Sequence, residues 1–474
     1  MPSSALREVS ASLPDVKSIL ARQRAFFRSA KTRSLDFRLN QLRVLRQALS
    51  LFEERLLDAL KADLGRATFE GFYTETMFTE EEIVASERGL REWAEDREVA
   101  TPLLVQPARS FIRPEPKGVV LVIAPWNYPV QLALAPIIAA IAAGNCVVLK
   151  PSELAPACSR VLAQMIGDSF DPSFIAVAEG GIDASDALLA EPWDHIFFTG
   201  GTGIGRIVME KAAKHLTPVT LELGGKSPAF VTKHAKVAHA AHRIAWSKSV
   251  NAGQTCVAAD YALVDRSVYE KFVAAYRTSI TQRYGANPRL SADFGRIVNA
   301  RHFERLRGYL SDGRVLLGGE TDETERYIAP TALGEVSLDS AVMHDEIFGP
   351  ILPIIPVDSL EAALAITQAR PHPLAMYVFS DSDSERERLL QAQTSGGVVI
   401  NDTMYHLGNP NLPFGGIGQS GMGAYHGRTG FDTFSHLRAV MVRRMHFENP
   451  LTTPPYKTPR QTVKRLLRML HLFT

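Results

Sequence analysis

The sequence contains little cysteine and no excess of either charge. Its three cysteines, Cys146, Cys158 and Cys256, are too few and too odd in number for a disulfide framework, which favours a reduced, cytoplasmic location. Lysine and arginine together number 52 against 51 aspartate and glutamate residues, so the basic excess of a nucleic-acid-binding surface is missing. The composition therefore predicts no nucleic-acid partner.

Long uninterrupted apolar runs are missing as well. The most apolar stretch, residues 119–149, is broken by proline, asparagine, glutamine and glycine, which in a bilayer would leave backbone groups unpaired. We therefore predict a buried strand–loop–helix–strand unit there. The N-terminus has no charged start followed by an apolar stretch, which argues against secretion. What is present is an ordinary globular composition, 46% apolar and 22% charged, in a chain long enough for about three domains.

The hydrophobic pattern predicts an α/β fold. Leucine and phenylalanine recur every three or four positions over residues 42–60, which indicates an amphipathic helix, and helical character continues over residues 80–97. From residue 119 to residue 221, short β-branched runs alternate with helical stretches, and a second alternation extends from about residue 229 to residue 400. Strands alternating with helices predict right-handed βαβ units, so we expect two α/β units with parallel sheets.

Three local motifs carry little information by themselves. The glycine turn of residues 198–205 fits only the frame Gly200-x-Thr202-x-x-Gly205, and a plain tight turn explains it equally well. The run at residues 225–227 resembles the end of a phosphate-binding P-loop, but Thr220 stands where that loop needs its first glycine. The histidines between residues 234 and 242 lack the spacing of metal ligands, so we predict no metal site.

Cys256 is the candidate nucleophile among the three thiols. It lies in a polar stretch, residues 251–258, that reads as a loop or a helix start, where a helix N-terminus or a nearby base could lower the thiol pKa. Cys146 and Cys158 lie in apolar runs and are predicted to be inert core residues. On spacing alone, an inert Cys256 remains an open alternative.

Seven segments taken in order resemble the aldehyde dehydrogenase superfamily over about residues 20–440. They are residues 124–129 (APWNYP), 150–153 (KPSE), 198–205 (FTGGTGIG), 221–228 (LELGGKSP), 251–258 (NAGQTCVA), 346–350 (EIFGP) and 411–418 (NLPFGGIG). The short stretch before Asn127 and the ending at residues 420–427 (SGMGAYHG) are most similar to the class 3 and fatty aldehyde dehydrogenase branch. Ala259 departs from that branch, whose members often carry proline there.

The resemblance implies a covalent mechanism of aldehyde oxidation. Cys256 would attack the aldehyde, and the oxyanion would be held by the Asn127 amide and the Cys256 backbone N–H. Glu222 would activate water to hydrolyse the resulting thioester, although a surface ion pair is the alternative for this residue. Two rivals remain: a CoA-acylating aldehyde dehydrogenase, which needs no water-activating base, and a non-catalytic binding protein on the same fold.

The same resemblance implies a nicotinamide dinucleotide cofactor and a hydrophobic substrate tunnel. The implied cofactor-binding residues are Trp126, Lys150, Glu153, Gly200, Gly201, Thr202, Gly205, Glu346 and Phe348. A carboxylate at Glu153 would accept ribose hydroxyl hydrogen bonds and repel a 2′-phosphate, so NAD is expected to be preferred, with NADP tolerated. Tyr128, Phe78 and Phe414 would line a tunnel for long-chain or aromatic aldehydes, or else are plain core residues.

The resemblance also implies a domain plan and a homodimer. Residues 1–97 and 118–222 would form the Rossmann-type NAD-binding domain, residues 223–427 the catalytic domain, and residues 98–117 and 428–440 a small oligomerisation arm. The tail, residues 441–474, carries seven basic residues and one acidic residue, and a predicted amphipathic helix near its end has an apolar face from Val463 to Phe473. That helix could dock on the partner subunit, cover the tunnel mouth or lie on an anionic membrane surface.

Overall fold

The computed structural model describes residues 15–102, 105–445 and 453–471. The chain forms two compact units, one of residues 1–93 and 116–436 and a smaller one of residues 94–115 and 437–474. Phe473 of the predicted apolar face lies outside the described residues. Both large sheets mix with helices in the alternating pattern expected, which confirms the predicted α/β class.

The helices follow each other along the chain with the following bounds. They are α1 (Val16–Arg28), α2 (Leu35–Leu64), α3 (Thr68–Gly71), α4 (Met77–Trp93), α5 (Gln131–Ala143), α6 (Pro156–Ser169), α7 (Ile182–Leu189), α8 (Thr202–Ala213), α9 (Val237–Ser249), α10 (Tyr269–Tyr284), α11 (Ala300–Tyr309), α12 (Ala341–His344), α13 (Leu360–Gln368), α14 (Asp383–Ala392), α15 (Gly427–Thr433) and α16 (Arg460–His471). A π-helical turn, Phe72–Thr76, joins α3 to α4.

The strands are short, as is usual for parallel sheets buried on both faces. They are β1 (Arg97–Val99), β2 (Ala108–Pro116), β3 (Val119–Ile123), β4 (Cys146–Lys150), β5 (Ile175–Val177), β6 (His195–Thr199), β7 (Val219–Glu222), β8 (Pro228–Val231), β9 (Tyr261–Asp265), β10 (Arg314–Leu317), β11 (Thr321–Asp322), β12 (Tyr327–Ile328), β13 (Thr331–Gly334), β14 (Ile351–Val357), β15 (Ala375–Phe379), β16 (Gly397–Ile400), β17 (Gly421–Met422) and β18 (Ser435–Arg443).

The first large sheet has the order β17-β7-β6-β3-β4-β5. Its strands β3 to β7 are parallel, and only the two-residue β17 runs antiparallel, with Gly421 opposite Glu222. The chain places β4 and β5 on one side of β3 and then β6 and β7 on the other. The strand order therefore reverses between β3 and β6, which is where ligands bind in open α/β sheets.

The second large sheet has the order β10-β13-β14-β9-β8-β15-β16. It is parallel except for β10, which pairs antiparallel with β13. Its strands β8, β9 and β15 are buried except at Asp265, which is half-buried, whereas the edge strands β10 and β16 are partly exposed. Two α/β units predicted from the alternation of elements are thus present as two sheets within one compact unit.

The N-terminal helices agree with the amphipathic pattern. α2 begins at its N-cap Ser34, whose hydroxyl accepts from the Phe37 N–H at 3.4 Å, and ends at Gly65, which takes the left-handed conformation with φ +61°. Its buried leucines recur with the predicted helical spacing. The prediction that helix continues to residue 97 is wrong, because α4 ends at Trp93 and Arg97 pairs with Ile112 of β2.

The apolar stretch of residues 119–149 is the strand–loop–helix–strand unit predicted: β3, a polar loop, α5 and β4, with nearly all of these side chains buried. Within the described ranges, no helix combines the length and the apolar character needed to cross a bilayer. The smaller unit contains the three-stranded sheet β1-β2-β18 together with α16. In α16, Lys464, Arg465 and Arg468 are exposed, whereas Val463 and Leu467 are half-buried.

Candidate active site

A crevice opens at the carboxyl ends of β3 and β6, where the order of the first sheet reverses. The loop after β3 contributes residues 125–127 and the turn after β6 contributes residues 199–201 to a cavity of about 210 Å³. Glu222, the last residue of β7, lines the same cavity. The sheet topology alone thus brings three sequence-distant segments together at one edge.

Nine of the predicted site residues line this cavity. They are Trp126, Asn127, Gly200, Gly201, Glu222, Cys256, Glu346, Phe348 and Phe414. Four predicted cofactor residues do not line it: Lys150, Glu153, Thr202 and Gly205. Pro125, Thr199, His302, Leu374 and Tyr425 line the cavity without having been predicted. The three predicted catalytic residues therefore share one space.

Among the residues that the structure describes, the Asn127 side-chain amide nitrogen donates one hydrogen bond. One of its Nδ2 hydrogens donates to the Gln254 carbonyl oxygen at 3.1 Å, and the Asn127 side chain is 4% exposed. An amide nitrogen carries two hydrogens, so one N–H remains for another acceptor in the cavity. This is the arrangement that an oxyanion-binding amide requires.

Cys256 follows a turn with an unusual backbone. Asn251, Ala252 and Gly253 have φ values of +51°, +50° and +72°, so three successive buried residues are left-handed. Such conformations cost of order 1–3 kcal/mol each for residues other than glycine and persist where the surroundings enforce them. A Cβ at Gly253 would lie 2.3 Å from the Gly349 carbonyl oxygen, so only glycine fits there.

The pKa of the Cys256 thiol shifts in the opposite direction to the expectation. Burial raises it, and the nearby carboxyl groups of Glu346 and Glu222 raise it further. Backbone N–H groups of Cys256 and Val257 act in the other direction but are outweighed. The sequence-based expectation of a lowered thiol pKa in the protein without ligands is therefore wrong. Cys146 and Cys158 are fully buried and free, in agreement with their assignment to the core.

Glu222 is a buried carboxyl group without a hydrogen-bond partner among the described residues. Its residue is 2% exposed, and neither carboxyl oxygen is hydrogen-bonded. Burial raises the pKa of Glu222 well above its ordinary value. A surface ion pair is therefore ruled out for this residue, and a carboxylate that forms here is a strong base.

Glu346 is the second buried carboxyl group at the thiol. Its Oε1 atom has no partner among the described residues, and burial, followed by the charge of Asp260, raises the pKa of Glu346 to about 8. The positive charge of Lys248 opposes this shift. Two residues on, the Phe348 ring meets Trp126 edge to face with centroids 5.3 Å apart. Both rings therefore form one wall of the cavity.

The glycine turn begins α8 as predicted. Gly201 is the N-cap of α8, and the Gly200 N–H donates to the Glu222 carbonyl oxygen at 3.0 Å. A Cβ at Gly205 would come within 2.7 Å of the Leu223 side chain, so this glycine serves the close packing of helix on sheet. The Thr202 hydroxyl donates to the Gln419 carbonyl oxygen at 3.1 Å.

Lys150 and Glu153 form an ion pair where β4 ends. Lys150 Nζ lies 2.6 Å from Glu153 Oε2, with the lysine side chain 3% exposed and the glutamate side chain 42% exposed. Because β4 is the neighbour of β3, this pair stands at the same sheet edge as the crevice. The exposed Glu153 carboxylate can accept further hydrogen bonds.

A second, mainly apolar cavity of about 60 Å³ reaches Cys256 from another side. The predicted substrate residues Tyr128, Phe78 and Phe414 all line it. The Tyr128 hydroxyl and Thr255 Oγ1 are 2.7 Å apart. Several lining residues were not predicted from the sequence: Tyr73, Thr74, Gln131, Leu132, Trp246, Thr255, Val257, Met404, Tyr405, Leu407, Tyr425 and His426. Thr255, Val257, Tyr425 and His426 lie in quoted motifs that assigned them no role, and the others lie outside the motifs, in segments far apart in the chain.

A model of the family described as "Aldehyde dehydrogenase family" matches residues 5–440. The chain belongs to the aldehyde dehydrogenase family. It is therefore an enzyme that oxidises an aldehyde, and enzymes of this family use NAD or NADP. The resemblance that the seven sequence segments carried is confirmed.

Among curated aldehyde dehydrogenases, family 3 members are close relatives, as the segments predicted. Mouse aldehyde dehydrogenase family 3 member B2 is 48% identical over 91% of this chain and 91% of its own length. The 4,4'-diaponeurosporen-aldehyde dehydrogenase of Staphylococcus aureus is 44% identical over 94% and 97% of the two chains. Rat "aldehyde dehydrogenase, dimeric NADP-preferring" is 45% identical over 91% and 96%.

A solved aldehyde dehydrogenase structure has nearly the same fold. The structure titled "Substrate bound state of Staphylococcus Aureus AldH" superposes with a TM-score of 0.93 at 43% identity, and the match covers 96% of this chain and 100% of that chain. This similarity includes both large sheets, since almost the whole chain is covered. The fold expected from the resemblance is thus confirmed.

The crevice of this aldehyde dehydrogenase fits a nicotinamide dinucleotide. Buried polar atoms without partners among the described residues face the same cavity, namely Thr199 Oγ1, Glu222 Oε1 and Oε2, and Glu346 Oε1. The turn of Gly200 and Gly201 presents backbone rather than side chains at the start of α8, where free N–H groups favour phosphate oxygens. The carboxyl oxygens can accept from ligand hydroxyl groups, and the N–H groups can donate to phosphate oxygens. The crevice therefore matches a ligand that has both kinds of group.

Proposed function

We propose that this enzyme oxidises long-chain or aromatic aldehydes to carboxylic acids through a covalent Cys256 intermediate. The observation that carries the proposal is the meeting of Asn127, Glu222 and Cys256 in one cavity, which Cys256 joins to a second, aromatic-lined cavity. The first cavity is the place for the cofactor and the second for the substrate chain. The thiol lies where the two meet.

In the proposed chemistry, the Cys256 thiolate adds to the aldehyde carbonyl carbon and forms a thiohemiacetal oxyanion. The free Asn127 N–H and the Cys256 backbone N–H donate to that oxygen and stabilise its charge. The nicotinamide cofactor, when bound, supplies the hydride acceptor. Loss of hydride from the thiohemiacetal carbon leaves a Cys256 thioester.

Glu222 completes the cycle by hydrolysis. Its carboxylate takes a proton from water, the hydroxide attacks the thioester carbonyl, and the carboxylic acid leaves as the Cys256 thiolate is restored. Its burial and its lack of hydrogen-bond partners within the described part of the chain support this role, because both make the carboxylate a stronger base than an exposed one. This base also argues against CoA acylation, in which a thiol replaces water.

The cofactor residues follow from their positions around the crevice. Trp126, Gly200, Gly201, Glu346 and Phe348 would contact the cofactor in the cavity, and Thr202 and Gly205 shape the turn behind them. Lys150 and Glu153 would bind the adenosine ribose from the end of β4. We infer a preference for NAD, with NADP tolerated, since the exposed Glu153 carboxylate repels a 2′-phosphate.

The apolar second cavity supports the substrate class. Aromatic walls formed by Phe78, Tyr128 and Phe414 favour long apolar or aromatic chains over short polar ones. One relative is named "4,4'-diaponeurosporen-aldehyde dehydrogenase", so an aldehyde dehydrogenase 44% identical to this chain is named for one particular aldehyde. Substrate selectivity would therefore rise with apolar chain length.

The domain plan, assembly and location are proposed from the same reasoning. The first sheet would belong to the NAD-binding domain (residues 1–97 and 118–222), the second to the catalytic domain (residues 223–427), and residues 98–117 and 428–440 to the arm of a homodimer. A relative named "dimeric" supports the homodimer. We place the enzyme in the cytoplasm, with surface contact between its basic tail (residues 441–474) and membranes.

The test measures NADH formation by purified protein against aldehydes of increasing chain length. Catalytic efficiency is expected to rise with chain length, to vanish in Cys256→Ala while NAD still binds, and to fall in Glu222→Gln to a single fast turnover followed by slow hydrolysis. Residual turnover in Cys256→Ala would contradict the nucleophile, and unchanged steady-state rates in Glu222→Gln would contradict the base. Turnover that requires added CoA would establish the acylating reaction instead.

A further inference from the structure

A buried arginine lies behind the candidate oxyanion-binding residue. Arg66 follows the end of α2, and its side chain is fully buried. Its Nη2 donates to the Asn127 backbone carbonyl oxygen and its Nη1 to Glu75 Oε1. Its guanidinium carbon lies 4.7 Å from the centroid of the Tyr128 ring. The proposed chemistry assigns no step to Arg66.

Glu75 ties this arginine to the helix that follows Asn127. Glu75 lies in the π-helical turn Phe72–Thr76, and its Oε2 accepts from the N–H groups of Val130 and Gln131 at 2.8 and 2.9 Å. These donors stand at the start of α5, where backbone N–H groups have no partner within the helix. Arg66 therefore holds the loop at the Asn127 carbonyl group, and Glu75 holds it at the start of α5.

Glu70 ties the same cluster to the turn that precedes Cys256. Glu70 Oε1 accepts from the Asn251 N–H at 2.8 Å and lies 3.6 Å from Arg66 Nε. Asn251 Nδ2 in turn donates to the Asn127 carbonyl oxygen at 2.9 Å. That carbonyl oxygen thus receives hydrogen bonds from both Arg66 and Asn251. We call these five residues, Arg66, Glu70, Glu75, Asn127 and Asn251, the arginine network.

We infer that Arg66 is a positioning residue that fixes the Asn127 side-chain amide in its place relative to Cys256. The inference rests on the proposed function, in which Asn127 binds the oxyanion. Its physical basis is that two donors to one carbonyl oxygen fix the Asn127 peptide plane and hence the direction of its side chain. A charged, fully buried arginine is costly unless its charge is paired, and here Glu75 accepts from Nη1 while Nε, which has no hydrogen-bond partner among the described residues, lies 3.6 Å from Glu70 Oε1.

The decisive experiment compares Arg66→Met with Asn127→Ala and with the double variant. Asn127→Ala is expected to lower the single-turnover rate of NADH formation about 100- to 1000-fold, as for other oxyanion donors. Arg66→Met is expected to lower it about 10- to 100-fold with little change in KM, since a misplaced group acts in the transition state. The double variant is expected to be no slower than Asn127→Ala alone, because Arg66 acts through Asn127.

Alkylation of Cys256 by iodoacetamide separates positioning from general damage. This reaction displaces iodide at a saturated carbon and creates no oxyanion, so its rate should stay near the native value in Arg66→Met. A matched loss of alkylation and hydride transfer would overturn the inference in favour of a disordered loop. If Arg66→Met does not fold, Arg66→Lys serves, since one ammonium cannot reproduce both guanidinium contacts, and it should show the same split between rates.

A second buried arginine provides the control. Arg38 is 6% exposed and donates to the carbonyl oxygens of Thr32, Arg33 and Ala142, away from the arginine network. Arg38→Met should lower the melting temperature without changing the rate of hydride transfer. Rate losses of Arg66→Met and Asn127→Ala that multiply in the double variant would overturn the inference alone, whereas a native rate in Asn127→Ala would overturn the proposed oxyanion role as well.

Discussion

At the nucleophile, burial raises the pKa of the Cys256 thiol, and the carboxyl groups of Glu346 and Glu222 raise it further. Burial raises the pKa of Glu346 to about 8, which remains below the raised pKa of the thiol, so Glu346 is already charged where Cys256 loses its proton. Each charge therefore opposes the other. The thiolate forms more readily when Glu346 is neutral.

We predict that Glu346→Gln lowers the pKa of the Cys256 thiol. Removing a carboxylate removes a charge that disfavours the thiolate, so alkylation by iodoacetamide without cofactor should reach half its maximal rate at a lower pH than in the native enzyme. Glu361→Gln, at an exposed position of α13, should leave the profile unchanged. A midpoint that stays in place or moves to higher pH in Glu346→Gln would contradict this electrostatic account.

A second residue-scale prediction concerns Glu153. Its carboxylate is 42% exposed beside Lys150, so replacement by glutamine removes the repulsion of a 2′-phosphate while the lysine charge stays. The ratio of kcat/KM for NADP to that for NAD should rise about tenfold, which corresponds to roughly 1.4 kcal/mol. Glu179→Gln, at another carboxyl group near the sheet edge that bonds Ser159, is the control. An unchanged or lower ratio would argue against ribose binding by Glu153.

The residues of the site could be predicted from the sequence where they lie in a recognisable motif. They could not be predicted where only tertiary packing brings them to the site. Asn127, Glu222 and Cys256 were chosen from ordered motifs, and one cavity contains all three. Trp246 and Tyr405 line the second cavity but belong to none of the quoted motifs, because their neighbours there come from distant segments. The thiol pKa was mispredicted for the same reason, since burial by tertiary packing is its largest determinant and the charges of Glu346 and Glu222 add to it.

At the scale of elements, the left-handed turn before Cys256 can be tested directly by substitution. Gly253→Ala places a Cβ 2.3 Å from the Gly349 carbonyl oxygen in addition to its strained φ. Gly285 has a similar φ of +77° but open space around a Cβ, so Gly285→Ala carries only the backbone cost of about 1–3 kcal/mol. Gly253→Ala should therefore lower the melting temperature more than Gly285→Ala and also reduce activity.

Thermal unfolding and steady-state assays of the two alanine variants decide this point. Equal losses of stability would mean that Gly349 moves away at no cost, and a fully active Gly253→Ala would show that the turn does not place Cys256. Only Gly253 is near the nucleophile, so an activity loss shared by Gly285→Ala would point to global unfolding instead. The comparison separates the loss of stability caused by the steric clash from the loss caused by the strained backbone.

Elements with strong hydrophobic periodicity were predictable, and short ones were not. β3, α5 and β4 form where the strand–loop–helix–strand unit was predicted, and α2 contains the predicted helix of residues 42–60 but extends beyond it at both ends. β5 has only three residues, Ile175–Val177, too few for a pattern to rise above chance, and it forms because β4 offers a paired edge. The end of α4 at Trp93 was likewise missed, since pairing of Arg97 with Ile112 competes with local helix propensity.

At the scale of the whole molecule, the order of strands and helices along the chain accounts for the two sheets and for the point at which the strand order reverses. It does not reveal the function of the smaller unit. Its helix α16 exposes Lys464, Arg465 and Arg468. Basic residues near an anionic bilayer contribute about 1 kcal/mol each at low salt. The proposed attachment through this helix is peripheral and depends on charge.

We predict that Lys464→Gln with Arg468→Gln weakens binding to vesicles containing phosphatidylserine by about 30-fold at low salt, the equivalent of roughly 2 kcal/mol. The control carries the same charge change at exposed Lys233 and Lys271 of the larger unit and should bind as the native enzyme does. Rising salt should release the native enzyme as screening shortens the reach of the charges. Equal weakening by both double variants would mean that the net charge of the protein, and not its helix α16, attracts it to the vesicles. Binding that does not depend on salt concentration would mean that an apolar face holds the protein.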